Sequence, residues 1–484
     1  MSEATQQPNL VLVCVDQWRA DALGVAGHPV VETPHLDVLA RTGFLFSRAY
    51  SSCPSCIAAR AALMTGLGQR RHGYVGYRDG VPWRYPTTLA GTLAAAGYHT
   101  QAVGKMHVYP ERNLVGFHNV VLHDGYLHMA RSRHADFGRI DDYVPWLRER
   151  LSASYADHVD TGLGCNGYVV RPWVYDEMLH PMSWITTQSI DFLRRRDPLR
   201  PFFLKVSYHR PHPPIDPPAT YLERYLHKDL PPLPVGDWVD HELPVCHGLD
   251  SPVPHDPAQI DLARRGYYAQ LSFLDHQINR LTMALHEHEV LANTVFLFVA
   301  DHGDLLYDHH HVAKALPYEG AARVPFILRL PSGNWGQPAH GGRVVDAVVE
   351  LRDVLPTLCE AAGVAVPPGL DGRSVLGLCR GQTTGWREWL HGEHSSGERS
   401  NHWLTDGREK YAWFSQTGRE LLFDLERDPR ECHDLSAERP ARLAQWRARL
   451  VAELDGRPEG YAADGQLVVG QPPRATLDHA GQGI

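Results

Sequence analysis

The run NLVLVCV at residues 9–15, which ends at Asp16, decides the predicted fold. It is almost wholly apolar and rich in valine, which is typical of a parallel strand buried on both faces. A second run of this kind, TVFLFVA at residues 294–300, ends at Asp301. In open α/β sheets, ligands bind beyond the carboxyl ends of the strands. We therefore expect a functional site where these two aspartates meet.

Strand and helix patterns alternate on both sides of these runs. Their starts and stops are marked by proline in the first turn of a helix and by glycine after its last turn. The predicted helices span 33–42, 87–96, 183–196 and 259–289, the predicted strands span 100–103, 201–208 and 323–330, and residues 345–362 hold one of each. This order predicts an α/β fold with a large, mixed, mostly parallel sheet sandwiched by helices.

The remaining segments predict a two-domain chain, with a catalytic domain at 1–378 and a small α+β domain at 379–484. Residues 110–180 are rich in His, Arg, Asp and Tyr, and we expect an irregular insertion over the sheet edge that contacts substrate. In the second domain we expect short antiparallel strands within 403–414 and 420–424 and a helix at 437–454. The tail from about residue 470 is either loose or an arm that packs on a partner subunit.

Composition narrows the class of protein. The chain has 484 residues, 43% hydrophobic and 21% charged, which is typical of a globular protein rather than a coiled coil or a disordered chain. Its net charge is −9 and it has no basic stripe, so no nucleic-acid partner is expected. The first ten residues do not resemble a signal peptide, and no apolar run is long enough to span a membrane. We expect a cytoplasmic protein with no membrane partner and with its eight cysteines reduced.

The dipeptides Asp16-Gln17 and Asp301-His302 follow the two buried strands. Two carboxylates, an amide oxygen and an imidazole at one sheet edge form a suitable set of ligands for a divalent cation. The alternative is that each aspartate only caps the next helix. The two pairs together favour a metal site.

The stretch SCPSCIAARAALMTG at residues 52–66 contains Cys53 and Cys56 in a C-x-x-C arrangement. A redox or zinc motif is one interpretation, but there is no second cysteine pair at zinc spacing and no thioredoxin-like unit. The Ala-rich part predicts a helix with Cys56 at its N-terminus, where the helix dipole favours an anion. The alternative is a small buried cysteine that begins a core helix.

An ordered set of motifs resembles the type I sulfatase family of the alkaline-phosphatase-like superfamily. The motifs are C-I-A-A-R at 56–60 with its A-A-L-M-T-G tail, G-K-M-H at 104–107, R-P-H-P at 210–213, A-D-H-G at 300–303, Lys314 before Tyr318-Glu319, YYAQLSFLDHQI at 267–278 and LFDLERDP at 422–429. They cover nearly the whole chain. The resemblance implies hydrolysis of an aryl or alkyl sulfate monoester.

The resemblance also implies the parts of the site. Cys56 is converted to formylglycine by a formylglycine-generating enzyme, and its hydrate attacks sulfur. One divalent metal, Ca²⁺ or Mn²⁺, assists this attack. The implied metal ligands are Asp16, Gln17, Cys56, Asp301 and His302. The implied catalytic residues are Cys56, Arg60, Lys105, His107, His212 and Lys314, in which His212 is the acid, His107 the base and the three cations bind the sulfate oxygens.

Lysine is scarce, since only five of the 47 basic residues are Lys, and two of the five are Lys105 and Lys314. The other three, Lys205, Lys228 and Lys410, are interpreted as structural or solvated. Where many sulfatases have Asp and Asn, this chain has Gln17 and His302, and an imidazole ligand favours Mn²⁺ over Ca²⁺.

Two other functions stay open. The D-Q-W-R-A-D stretch at 16–21 also resembles phosphonate monoester hydrolases and phosphodiesterases of the same superfamily. A non-catalytic protein that only binds sulfated ligands is the third possibility, which an unmodified Cys56 would favour. The weak tail pattern suggests a homo-oligomer, either a dimer or a tetramer.

Overall fold

The structure is a computed structural model that describes residues 7–125, 137–151, 163–241, 245–246, 253–331, 342–395 and 397–483. The strands are β1 Asn9–Asp16, β2 Phe44–Phe46, β3 Ala49–Tyr50, β4 His99–Gly104, β5 Asn119–Leu122, β6 Phe202–Pro211, β7 Val245–Cys246, β8 Thr294–Ala300, β9 His311–Val312, β10 Phe326–Arg329, β11 Arg343–Val345, β12 Val349–Glu350, β13 Leu390–His394, β14 Asn401–Thr405, β15 Glu409–Phe414, β16 Glu420–Asp424, β17 Ala462–Ala463 and β18 Gln466–Leu467. The α-helices are α1 Pro34–Arg41, α2 Cys56–Thr65, α3 Gln69–His72, α4 Leu89–Ala95, α5 Tyr143–Arg150, α6 Pro181–Arg195, α7 Ala219–Glu223, α8 Pro257–Glu287, α9 Glu319–Ala322, α10 Val354–Ala361, α11 Leu376–Cys379 and α12 Pro440–Leu454.

The main sheet has eight strands in the order β11-β2-β10-β8-β1-β6-β4-β5. β1 is parallel to both of its neighbours, β6 and β8, and β4 is parallel to β6 and β5. Only β10 runs antiparallel to the strands beside it. This arrangement confirms the predicted large, mixed, mostly parallel sheet.

Every residue of β1, β6 and β8 is buried. A strand buried on both faces needs a covering layer on each side, because its side chains alternate between the two faces. The helices supply these layers: α1, α6 and α7 pack with the long helix α8, and α2 packs with α4 and α10. The α/β fold class is therefore confirmed, with its core around β1.

The segment 110–180 is more regular than predicted. β5 forms the edge strand of the main sheet beside β4, and α5 follows it. The expectation of a wholly irregular insertion is wrong at these residues, because the short run NVVL pairs with β4 and buries Val120 and Leu122 in the core. Residues 126–136 and 152–162, where we predicted substrate contacts, lie outside the described residues.

The C-terminal part contains a four-stranded antiparallel sheet, β13-β14-β15-β16. One face packs on α12 through Trp413 and Trp446, and the other face packs through Trp403 and Phe423 on residues near Tyr318. A small α+β unit is thus present, and the boundary at residue 378 stays a prediction. Among the described residues, no helix has the length and apolarity needed to span a membrane.

The tail beyond residue 470 packs on its own chain. The N–H of Leu477 donates to the carbonyl oxygen of Gly73, and Leu477 and Ala480 are both buried. The prediction that the tail is loose is therefore wrong, because its apolar side chains fill a surface next to α3. Contact with a partner subunit stays a prediction.

Candidate active site

Cys56 is the first residue of α2 and is buried. Its Sγ lies 3.2 Å from Nε2 of His302 and 3.7 Å from Oδ1 of Asp16. Burial and the Asp16 carboxylate raise the pKa of the thiol, but nearby cations led by Lys105 outweigh both, so the net pKa is lowered. The first N–H groups of a helix have no partner within it, and the helix dipole adds positive charge there. The position therefore suits an anion bound at side chain 56.

His302 directs one ring nitrogen toward this site. Its Nδ1–H is assigned as the donor to the carbonyl oxygen of Gly303, at 2.8 Å, so the neutral ring has its lone pair on Nε2. Nε2 lies 3.4 Å from Oδ1 of Asp16 and 3.7 Å from Oδ1 of Asp301. A hydrogen bond to the distal nitrogen is the usual way in which a metal-binding histidine is oriented.

Four buried residues could hold a metal ion together. One ligand atom from each of Asp16, Cys56, Asp301 and His302 lies within 4.8 Å of the others. Two carboxylates and an unprotonated imidazole nitrogen are suitable ligands for a divalent cation, and residue 56 completes the set. Lys105, which forms an ion pair with Oδ2 of Asp16, lies beside this group. Burial raises the pKa of Asp16, but Lys105 and then His212 bring it well below its usual range. The residues present therefore fit a divalent metal.

Both carboxylate oxygens of Asp301 accept hydrogen bonds. Its Oδ2 accepts a hydrogen bond from Nε of Arg60 at 2.9 Å. Its Oδ1 accepts the backbone N–H of His302 at 2.9 Å and that of Gln17 at 3.2 Å. These bonds fix the carboxylate at the carboxyl end of β8, next to the end of β1.

The side chain of Gln17 connects Lys314 to a carboxylate that the sequence analysis did not identify. Oε1 of Gln17 accepts a hydrogen bond from Nζ of Lys314 at 2.7 Å, and Nε2 donates to Oδ2 of Asp304 at 2.6 Å. The hydroxyl of Tyr168 donates to the same Oδ2 at 2.7 Å. Asp304 therefore determines which end of the amide faces Lys314. The only feature of the sequence that could have indicated Asp304 is its position three residues after Asp301.

The backbone of Lys105 is held by hydrogen bonds from two buried cations, Arg60 and Lys205. Nη1 of Arg60 donates to the carbonyl oxygen of Lys105 and to Oγ of Ser207, each at 2.9 Å. Nζ of Lys205 donates to the same carbonyl oxygen at 3.1 Å. Lys205 is only 1% exposed, so the expectation that it is structural or solvated is settled in favour of a buried structural role.

His107 follows Lys105 on the loop after β4, where Oδ1 of Asp124 accepts its backbone N–H at 3.0 Å. Its φ is 55°, in the left-handed region. Burial, then the positive charges of Lys105 and Arg60, hold the pKa of His107 well below its usual range. The imidazole is therefore neutral at pH 7 and able to accept a proton.

His212 lies just beyond the carboxyl end of β6. Its Nδ1 is 2.9 Å from the carbonyl oxygen of Pro213, which fixes Nδ1 as the protonated nitrogen. Burial and the charge of Lys314 hold its pKa well below the usual value, while Asp16 opposes them. These charge interactions place His212 beside the same group of residues.

The structure thus brings together the ten residues predicted from the sequence: Asp16, Gln17, Cys56, Arg60, Lys105, His107, His212, Asp301, His302 and Lys314. The assignment of a role to each stays a prediction. Sequence reasoning missed the supporting side chains of Asp304, Tyr168, Asp124 and Ser207, because none of them is part of a motif and each contacts a residue of another segment. It also left His394 without a role. Burial, and then the charges of His302 and Lys314, lower the pKa of His394.

Comparison with known proteins decides the family. The model of the Sulfatase family matches residues 8–364, and the model named N-sulphoglucosamine sulphohydrolase, C-terminal, matches residues 307–456. The chain is 48% identical over 482 residues to an arylsulfatase of Clostridium perfringens, which covers 98% of this chain and 99% of the relative. The chain belongs to the sulfatase family. The predicted resemblance is therefore confirmed, and this chain is a sulfatase, an enzyme that hydrolyses sulfate esters.

The chain is also similar, at lower identity, to two other proteins. This sulfatase is 28% identical to the multifunctional alkaline phosphatase superfamily protein PehA of Trinickia caryophylli, over 93% of this chain and 95% of the relative. It superimposes on the crystal structure of the phosphonate monoester hydrolase of Agrobacterium radiobacter with a TM-score of 0.75 at 24% identity, which covers 92% of this chain and 95% of that one. The second similarity confirms the alkaline-phosphatase-like fold.

Proposed function

We propose that this sulfatase hydrolyses an aryl or alkyl sulfate monoester through a formylglycine made from Cys56, with one divalent metal. The observation that carries the proposal is the position of Cys56: its Sγ lies beside Asp16 and His302 at the start of α2. The arylsulfatase relative at 48% identity supports an aryl sulfate as the first substrate to test.

Maturation requires a partner. Conversion of a cysteine to formylglycine replaces the Cβ–S bond and one Cβ–H bond by a C=O bond and releases the sulfur as sulfide, which is a two-electron oxidation. We propose that a formylglycine-generating enzyme carries it out with an external oxidant. Because Cys56 is buried in the folded chain, we expect the modification to precede complete folding.

The metal would be held by Asp16, Gln17, Asp301 and His302 together with side chain 56. When bound, such an ion polarises a sulfate oxygen and lowers the pKa of a coordinated hydroxyl. The side-chain charge of this set is −2 from its two aspartates, and its imidazole favours Mn²⁺, whereas Ca²⁺ prefers oxygen ligands. We propose Mn²⁺ first and Ca²⁺ second.

The cations of the site bind and orient the sulfate group. Lys105 and Lys314 carry compact ammonium groups that can approach sulfate oxygens closely, while Arg60 is committed to Asp301 and to the carbonyl oxygen of Lys105. Positive charge fixed in advance in a buried site stabilises the charge that develops in the transition state.

The two histidines handle protons. His107 is neutral because burial and two neighbouring cations lower its pKa, and it would take the proton from the second hydroxyl of the formylglycine hydrate as the C=O bond re-forms and sulfate leaves. His212 donates the proton to the leaving alcohol, which requires its charged form. The bound sulfate anion favours that form, since a nearby negative charge raises the pKa of an imidazole.

A second candidate function is phosphonate monoester or phosphodiester hydrolysis at the same site. The D-Q-W-R-A-D stretch at 16–21 favours it, because this stretch resembles phosphonate monoester hydrolases, and PehA is a multifunctional relative. Both kinds of substrate present a tetrahedral monoanion. Comparison of kcat/KM for an aryl sulfate and an aryl phosphonate monoester decides which activity is the main one.

The test of the proposal combines modification and turnover. Peptide mass spectrometry across residue 56 should find an aldehyde, and Cys56→Ala should fold normally but lose all aryl sulfatase activity. An unmodified thiol in an active enzyme would refute the mechanism, and a thiol in an inactive protein would favour a non-catalytic sulfate-binding protein. A cytoplasmic location and a homo-oligomeric state remain predictions of the sequence.

A further inference from the structure

Two histidines and an aspartate form a second group of potential metal ligands, the His35–Asp275–His276 cluster. His35 is the second residue of α1, and the other two residues are adjacent in α8. One ligand atom from each of the three lies within 4.8 Å of the other two. The charged groups that act on this cluster, chiefly Arg224, Glu32 and Asp37, belong to none of the residues around Cys56.

Asp275 carries a buried carboxylate without a cationic partner in the described part of the chain. It is 0% exposed, and its oxygens accept the backbone N–H groups of His35 at 3.1 Å and Leu36 at 2.8 Å. The nearby guanidinium of Arg224 is engaged by Glu32 instead. A cation at this position would offset the cost of the buried charge.

The two imidazoles are placed to bind such a cation together with Asp275. The rings of His35 and His276 are half-buried, with centroids 5.3 Å apart at 66°. Nδ1 of His276 lies 2.8 Å from the hydroxyl oxygen of Tyr221, and if Nδ1 is the donor, Nε2 retains its lone pair. The partial exposure of both rings provides a path of entry from solvent. Asp275 alone would be explained as a cap of α1, but capping explains neither imidazole.

We propose that His35, Asp275 and His276 bind a divalent cation of the Zn²⁺ class and so pin the start of α1 to α8. Two imidazoles and one carboxylate, with water in the fourth position, form a suitable ligand set for tetrahedral Zn²⁺ and a poor one for Ca²⁺ or Mg²⁺. Tetrahedral bonds of about 2.0–2.1 Å put ligand atoms about 3.4 Å apart. The half-exposed rings can reach that separation by rotation.

The proposal is tested by counting zinc in the intact, tag-free protein. Wild type is stripped with a chelator, equilibrated with Zn²⁺, desalted and analysed by elemental mass spectrometry, beside His35→Asn and His276→Asn. His286→Asn is the matched control, since His286 is exposed on the same helix. We expect wild type and the control to hold one zinc per chain more than the two cluster variants. Tyr221→Phe should weaken Zn²⁺ binding by about 10- to 100-fold.

The test compares the zinc content of wild type with that of each variant, so the result does not depend on whether the site at Cys56 also binds zinc. Equal zinc content in wild type, His35→Asn and His276→Asn overturns the proposal, and Asp275 is then only a cap. If one variant fails to fold, the other decides. Aryl sulfatase activity should be unchanged in both variants, because neither residue contacts the site at Cys56.

Discussion

At the scale of single residues, Lys205 has an unusual environment. Its ammonium group is buried in β6 and donates to the carbonyl oxygen of Lys105. Burial, and then the charge of Arg60, lower its pKa from 10.5 to about 8. The folded protein therefore binds this proton less tightly than the unfolded chain does. Between these two pKa values the unfolded state holds more protons, so the contribution of Lys205 to stability rises with pH.

We predict that the free energy of unfolding of wild type minus that of Lys205→Met increases by about 3 kcal/mol as the pH rises from about 8 to 10.5. Methionine keeps most of the volume without the charge. Urea denaturation of both proteins across this range measures the difference. Lys228→Met controls for the loss of a lysine at the surface. A difference that does not change with pH would contradict the lowered pKa.

Asp304 acts through Gln17. Its Oδ2 accepts from Gln17 and Tyr168, and its Oδ1 accepts the backbone N–H groups of Leu306 and Ala313. Asp304→Asn places an amide that can donate opposite these donors. We expect kcat for an aryl sulfate to fall by about 100-fold, since small displacements of catalytic groups cost that much.

Tyr168→Phe is the matched control for Asp304→Asn. It removes the hydrogen bond to Asp304 and those that the hydroxyl accepts from Gln17 and from the N–H of Ala313, but it leaves the carboxylate as the acceptor for Gln17, so a loss below about tenfold is expected. Circular dichroism confirms that each variant is folded before its kinetics are compared. An Asp304→Asn enzyme with full activity would show that the orientation of the Gln17 amide does not matter.

At the scale of elements, the end of β4 depends on a glycine. Gly104 has a φ of +93°, and a Cβ there would meet the carbonyl oxygen of Ser207 in β6 at 2.1 Å. Neither strand can move away, because each is paired with a strand on both of its sides. The residue that follows is Lys105, so the same glycine determines where the ammonium group enters the site.

We predict that Gly104→Ala lowers the free energy of unfolding by more than about 3 kcal/mol and removes most activity. Gly97→Ala is the control, because Gly97 has a φ of +96° but no atom within 4 Å of the added Cβ. It should cost about 1 kcal/mol from backbone strain alone. Thermal and urea unfolding measure both. Equal effects would mean that strain, and not the contact with β6, dominates.

At the scale of the whole molecule, Lys410 connects the C-terminal sheet to the segment that follows Lys314. Its Nζ lies 2.8 Å from Oε1 of Glu319 and 2.9 Å from Oε1 of Glu431, and it donates to the carbonyl oxygen of Pro317. Lys410 is 0% exposed. The three charges are therefore out of water and depend on one another.

Lys410→Met should lower the free energy of unfolding by about 3–5 kcal/mol, because it leaves the buried Glu431 without its cation and Glu319 with Arg323 alone. Lys228→Met, which removes a half-exposed ion pair with Glu32, should cost at most about 1 kcal/mol. Urea denaturation compares them. A small effect at Lys410 would show that one of the glutamates takes up a proton instead.

The sequence by itself predicted the fold class, the family and the ten residues that the structure brings together, five of them only through the family resemblance. Buried parallel strands such as 9–16 and 294–300 are continuous apolar runs, so they are visible without a structure. The motifs after these strands are contiguous, and the carboxyl ends of parallel strands meet at one edge. Local patterns therefore predicted the two strand-end pairs and Cys56, and the family motifs predicted the other five residues.

Only the tertiary structure decided what surrounds those residues. The contact of Gln17 with Asp304 spans 287 positions, and that of Lys205 with the Lys105 carbonyl oxygen spans 100. The His35–Asp275–His276 cluster likewise joins two helices more than 200 residues apart. Burial and pairing over such separations depend on how the helices and strands pack, which no local pattern of residue types encodes.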